Sequence, residues 1–301
     1  MAGIRPISAD DHLFSELVVR LIAIDKEGAL YSFGTAFIFQ PYLALTAKHV
    51  IEEFFKLDPC IYRDEAVSFN FWAVQVTWEG AEHSYVVWDI RGVSFSGHSD
   101  LAMLKLHPYC TNAAKYTERN IWKLVPCTLI TPQIGDKVVG FGLHGISFKG
   151  SHVNSEGKVE HIELTDSASS SSGVVRAVHP IYRDMSMLTF PCFEVDAQFE
   201  PGMSGGLVIN AHSQVCGIVC SSMPATDEYP SPSSYVTMLW PMMAMKLDFS
   251  LFGRSPISGI QYVHELARHG IFTPEGWERV FIEENPSWLG CKVSMRSPTG
   301  H

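Results

Sequence analysis

Much is missing from this 301-residue chain, and each absence narrows what it can be. No run of eighteen or more apolar residues occurs, so no membrane-spanning helix is expected. The opening segment, MAGIRPISADDHLFSEL, lacks the apolar core of a signal peptide, so no export leader is expected. Basic residues are few: 22 Lys and Arg stand against 32 Asp and Glu, a net charge of −10 with no visible basic patch. That balance argues against nucleic acid as a partner. None of the seven cysteines (Cys60, Cys110, Cys127, Cys192, Cys216, Cys220, Cys291) forms a Cys-x-x-Cys pair, so no metal site is expected and buried thiols are the plainer reading. Charged residues make up only 18% of the chain against 46% hydrophobic, the balance of an ordinary globular protein rather than a disordered one.

What is present centres on FEPGMSGGLVIN, residues 199–210. Ser204 sits between Gly202 and the pair Gly205-Gly206, and leads into the apolar run Leu207-Val208-Ile209. Glycines let backbone N–H groups crowd around a hydroxyl, because no Cβ obstructs the approach. Such a donor-lined turn can hold an oxyanion, although a glycine-rich hairpin would read the same way. Two upstream stretches answer the serine. In GTAFIFQPYLALTAKHVIEEFF, residues 34–55, His49 follows an apolar run; in HSDLAMLKL, residues 98–106, Asp100 precedes an alternating segment. A serine hydroxyl needs a base, and histidine, with an ordinary pKa near ~6.5, suits that role. An aspartate can then fix the imidazole tautomer, and His, Asp, Ser is the chymotrypsin order.

LTAKHV, SDLAMLKL and DAQFEPGMSGG, in that order, make the chain resemble a trypsin-like serine peptidase of the chymotrypsin fold. PQIGDKVVGFG, SGVVRAV and VDAQFEPGMSGG are most similar to the bacterial HtrA/DegP branch, and the likeness spans roughly residues 17–222. The resemblance implies an all-β fold of two six-stranded antiparallel β-barrels. It implies catalytic His49, Asp100 and Ser204, and an oxyanion hole from the N–H groups of Gly202 and Ser204. Gln198 would lie at the base of the specificity pocket and Cys220-Ser221-Ser222 along its wall, so uncharged, small-to-medium side chains are expected at the cleavage site. No cofactor is implied.

Three departures from that pattern are visible. Secreted relatives bridge a cysteine beside the histidine to the preceding strand; here those places hold Val50, Phe33 and Gly34, which fits a reducing, cytoplasmic setting. Met203 stands where pancreatic-type enzymes carry the aspartate that pairs with a new N-terminus, and no Ile-Val-Gly-Gly-like start appears. Activation by N-terminal cleavage is therefore not expected. The tail is also too short for a PDZ domain, so PDZ-driven trimers and peptide sensing do not carry over.

In chain order, strands are expected at 17–24, 30–39, 42–46, 67–78, 84–93 and 101–106, with a helical turn at 47–55 and a polar link at 107–124. Further strands are expected near 137–142, 173–179, 188–195, 206–210, 214–220 and 234–240. Residues 144–172 read as a long loop, flanking the specificity pocket or simply solvated, with surface histidines His144, His152 and His161. Apolar spacing over 257–268 and the Thr273-Pro274 cap before 277–284 predict a helical pair docked on the second barrel. The expected division is residues 1–115 (first barrel), 116–240 (second barrel) and 241–301 (helical extension). The expected function is a serine endopeptidase acting on cytoplasmic proteins or peptides, with the tail open to a regulatory partner. The alternatives are a silent scaffold on the same fold, and a peptidase active only with a partner bound.

Overall fold

The computed structural model describes residues 4–6, 16–25, 27–57, 69–79, 82–118, 124–153, 159–224, 231–249, 257, 259–284 and 291–296. Cys60, the centre of the Glu79-Gly80 turn, most of the first seventeen residues and the side chain of His161 lie outside the described part.

The apolar runs of the first half become strands β2 (Val18–Asp25), β3 (Leu30–Gln40), β4 (Leu43–Thr46), β5 (Phe69–Glu79), β6 (Glu82–Phe95) and β7 (Ala102–Pro108). They close a barrel in the order β2-β3-β4-β7-β6-β5, all pairings antiparallel. Helix α1 (Lys48–Leu57) follows β4 directly and buries Val50, Ile51, Phe54 and Phe55. Phe54 stacks on Phe71 with ring centroids 3.9 Å apart, which seats the helix on β5. The link between the halves is not wholly irregular: Thr111–Glu118 forms α2.

The second half supplies β8 (Lys137–Val153), β9 (Val159–His179), β10 (Cys192–Val195), β11 (Leu207–Asn210), β12 (Val215–Met223) and β13 (Ser233–Met238). Their pairings run β9-β10-β13-β12-β11-β8, and a further β8–β9 pairing returns the sheet on itself. The N-terminal strand β1 (Ile4–Pro6), which sequence reasoning missed, adds to β9 at Ser169–Ser171.

The described residues of the 144–172 segment, 144–153 and 159–172, are not a loop. They extend β8 and β9 into one long antiparallel hairpin, from Lys137↔Val174 out to Val153↔Val159, with register shifts on the way. The reason lies in β2, whose residues Val18 to Ile24 are all buried. Ile22, Ile24, Trp72 and Val74 face outward from the first barrel, and Ile146, Ile162 and Leu164 of the hairpin cover them. Burying an isoleucine contributes about 1.5–3 kcal/mol, so this contact gives the hairpin a reason to extend. Ser151 fixes its far end by donating to the Gly28 carbonyl oxygen at 2.7 Å.

The tail also departs from the helical reading. It forms β14 (Lys246–Asp248) paired with β15 (Ile260–Tyr262), and β16 (Val280–Glu284) paired with β17 (Cys291–Met295). The helical elements in and around it are short: α3 (His264–Arg268) and the turns Trp240–Ala244 and Trp277–Arg279. Residues 280–284 (VFIEE) open with β-formers and pair with a strand beginning only seven residues further on, a local pairing that the helical reading overlooked. The tail rests on both barrels rather than the second alone. Phe272 packs on Phe39 of β3 at 5.1 Å, and Ser94 of β6 donates to the Lys246 carbonyl oxygen. On the other side, Gln214 donates to Glu275. None of the described helices is long and apolar enough to cross a membrane.

Candidate active site

His49 is the second residue of α1, so its backbone N–H is one that the first helical turn leaves without an internal partner. Asp100 Oδ1 accepts that N–H at 2.9 Å, and Oδ2 meets the ring Nδ1 at 2.8 Å. Two contacts from one carboxylate fix both the ring's plane and its tautomer. Asp100 is buried, in the bend between β6 and β7, while the His49 side chain stays 41% exposed. Burial acts to lower the imidazole pKa. The hydrogen bond and charge of Asp100, helped by Glu52 and Glu53, outweigh it and raise the pKa above its ordinary 6.5.

Cys220 adds a third group. Its thiol donates to Asp100 Oδ2 at 3.1 Å, and burial followed by the Asp100 charge pushes its pKa well above the ordinary thiol value. All six described cysteines are free thiols.

Ser204 occupies the turn before β11. Gly202 takes φ +98° and Gly205 φ +84°, backbone conformations that other residues rarely adopt. A Cβ on Gly205 would lie 2.0 Å from the Thr35 carbonyl oxygen. The neighbouring amides are occupied, Met203 donating to Glu200 and Gly205 to Val219. Among the described residues, the N–H groups of Gly202 and Ser204 have no protein acceptor. The Ser204 hydroxyl donates to the Cys220 carbonyl oxygen at 3.2 Å, and no hydrogen bond joins it to His49. The structure thus brings His49 and Asp100 together, while the Ser204 hydroxyl is engaged with the Cys220 carbonyl.

The first barrel holds this turn in place, and sequence reasoning missed the residues that do it. Thr35, fully buried on β3, donates its N–H to the Ser204 carbonyl oxygen and its hydroxyl to the Gly202 carbonyl oxygen, both at 2.9 Å. The same hydroxyl accepts the Leu143 N–H at 2.9 Å. Arg20, buried on β2, donates to the His144 carbonyl oxygen beside the turn. His144 is half-buried, its Nε2 in a 2.6 Å hydrogen bond with Ser169 Oγ, whereas His152 is exposed.

A cleft of about 640 Å³ opens beside His49, lined by Lys48, Asp100, His98, Leu188, Phe190, Cys220 and Ser221 among others. Of the expected pocket residues, Cys220 and Ser221 line it; Gln198 and Ser222 do not. The Ser222 hydroxyl accepts from the Phe199 N–H and from Ser234 Oγ, tying β12 to β13. The far wall, residues 187–190, follows a turn shaped by Asp184. Its Oδ1 accepts the N–H groups of Ser186, Met187 and Leu188, which holds its pKa far below the usual carboxylate range. The Asp-x-Ser spacing was a turn signal for this loop.

Residues 34–218 match the family model of the trypsin-like peptidase domain. The chain therefore belongs to the trypsin-like peptidases and is a serine protease. No curated protein matches it. Among solved structures, it is similar to the active form of the Rv3671c protease from M. tuberculosis, at 18% identity and a TM-score of 0.43, covering 77% of this chain and 82% of that one. Deg5 gives 17% identity and a TM-score of 0.43 over 77% and 91% of the two chains. The HtrA-type protease AlgW with a tripeptide gives 14% and 0.41 over 74% and 56%.

Proposed function

We propose that this chain is an endopeptidase that cleaves proteins or peptides through an acyl-enzyme, with Ser204 as nucleophile, His49 as base and Asp100 as the group that orients it. The observation that carries the reading is the double contact of Asp100 with His49, at 2.9 Å to the backbone and 2.8 Å to the ring. Turned from the Cys220 carbonyl toward His49, the Ser204 hydroxyl would pass its proton to Nε2 as Oγ attacks the substrate carbonyl. The unpartnered N–H groups of Gly202 and Ser204 would receive the oxyanion, each worth roughly 3–4 kcal/mol of transition-state stabilisation. His49 then returns the proton to the leaving amine, and water repeats the sequence on the acyl-enzyme. Action in the cytoplasm suits the free thiols. A fluorophosphonate probe tests the reading: labelling of the native protein, lost on Ser204→Ala, supports it. Absence of labelling in the folded protein across neutral pH refutes it.

One observation favours a second reading, of activity only with a partner or substrate bound. The Ser204 hydroxyl rests on the Cys220 carbonyl rather than on His49. Weak labelling that rises when a peptide substrate is added supports that version.

A further inference from the structure

Three different metal-binding donors converge in the lining of the cleft. Asp100 Oδ2 accepts from His49 Nδ1 at 2.8 Å and from Cys220 Sγ at 3.1 Å. One donor atom from each of His49, Asp100 and Cys220 lies within 4.8 Å of the others, and all three residues line the cleft of about 640 Å³. A serine at position 220 could donate the same hydrogen bond to Asp100; a cysteine adds a soft sulfur donor to an imidazole and a carboxylate. That is a donor set zinc takes, and three protein ligands with one open position is the pattern of its reactive rather than structural sites.

Two of the three donor separations, 2.8 and 3.1 Å, are close to what zinc requires, and the third lies within 4.8 Å. With bonds of about 2.0–2.3 Å in tetrahedral geometry, neighbouring donors stand about 3.3–3.6 Å apart. The two hydrogen-bonded separations must therefore open by about half an ångström, with the Nδ1 and Sγ atoms brought to a similar spacing. The partly exposed His49 ring can make that movement toward the cleft.

We propose that His49 Nδ1, Asp100 Oδ2 and Cys220 Sγ form an inhibitory zinc site, with water as the fourth ligand. As the Zn–S bond forms, the thiol proton leaves to solvent. As Nδ1 takes the metal, the ring proton is exchanged through solvent onto Nε2, and Asp100 remains a carboxylate. The two positive charges of the ion meet two negative charges, one on sulfur and one on oxygen. Nε2 then carries a hydrogen and cannot accept one from Ser204, so the occupied site is catalytically silent. That last consequence rests on the proposed peptidase reading; metal binding itself does not.

The test uses the full chain carrying Ser204→Ala, to prevent self-digestion, with Co²⁺ as a spectroscopic probe. The expected result is thiolate-to-cobalt charge-transfer absorption saturating at one equivalent, displaced by Zn²⁺, lost in Cys220→Ser and weakened in Asp100→Asn. Cobalt binding without a thiolate band, or a band kept in full by a folded Cys220→Ser protein, overturns the site. Should Cys220→Ser fail to fold, a band unchanged in Asp100→Asn overturns it equally. In parallel, Zn²⁺ is expected to slow fluorophosphonate labelling of the unaltered protein at least tenfold and a chelator to restore it. Cys220→Ser, compared with its own metal-free rate, is expected to be insensitive. A thiolate band in a protein that never labels upholds the metal site while removing the peptidase reading.

Discussion

Replacing Thr35 with valine isolates what the first barrel does for a serine it does not carry. The two side chains have nearly the same shape, so packing is kept and only the hydroxyl is lost. That hydroxyl donates to the Gly202 carbonyl oxygen at 2.9 Å and accepts the Leu143 N–H at 2.9 Å, at a fully buried position. Valine leaves both backbone groups without a partner. Each orphaned buried group costs about 1–3 kcal/mol, so the variant is expected to lose about 3 kcal/mol. For a chain of this size that is a fall in Tm of about 5 °C. The Thr35 N–H bond to the Ser204 carbonyl survives, so the turn is expected to loosen at Gly202 rather than collapse. One of the two proposed oxyanion donors would then be misplaced, and kcat is expected to fall about 10²-fold with KM little changed. Calorimetry and the rate of fluorophosphonate labelling read the two effects. Thr35→Ser, which keeps the hydroxyl, should recover most of both. A Thr35→Val protein with an unchanged Tm and labelling rate would refute the reasoning.

Other expectations follow from the same geometry. Asp100→Asn removes the carboxylate from both contacts with His49, and kcat should fall about 10⁴-fold, as in the chymotrypsin type, by steady-state kinetics on a peptide. Because Asp100 holds the His49 pKa above 6.5, the acid limb of the pH–rate profile should turn at a midpoint above that value, activity rising with pH as the ring loses its proton. For stability the sign is opposite: the raised pKa stabilises the fold fully below about pH 6.5, and that contribution fades as pH rises through the folded value. Thermal unfolding in matched buffers, compared with Asp100→Asn, reads this difference. Gly205→Ala would put a methyl 2.0 Å from the Thr35 carbonyl oxygen and 2.2 Å from Thr46 Oγ1 at φ +84°, so little soluble protein is expected. Asp184→Ala should speed hydrogen exchange at 186–188 and raise KM with kcat nearly unchanged, because those amides lose their acceptor.

The first barrel was legible because its strands are apolar runs bounded by turns, most of them paired with a near neighbour in sequence, except where β2 meets β5 and β4 meets β7. His49 and Asp100 were legible because each sits at the edge of such a run. The long hairpin was not. Residues 144–172 are polar and serine-rich, and what makes them strands is the outward apolar face of Ile22, Ile24 and Trp72, more than seventy residues away. The same holds for Thr35, whose importance depends on a carbonyl 167 residues downstream. In the tail, helical spacing was read over 277–284 although residues 280–284 pair with the nearby strand 291–295.

The grip of Thr35 and Arg20 on the nucleophile's turn has a consequence for recombination. A chimera joined between α2 and β8 would inherit its histidine and aspartate from one parent and its serine from the other. It would also part the Thr35 hydroxyl from the Gly202 carbonyl and the Leu143 amide that evolved against it. Halves exchanged among relatives will therefore work only when these contacts travel together, whatever the similarity of the motifs around the reactive residues.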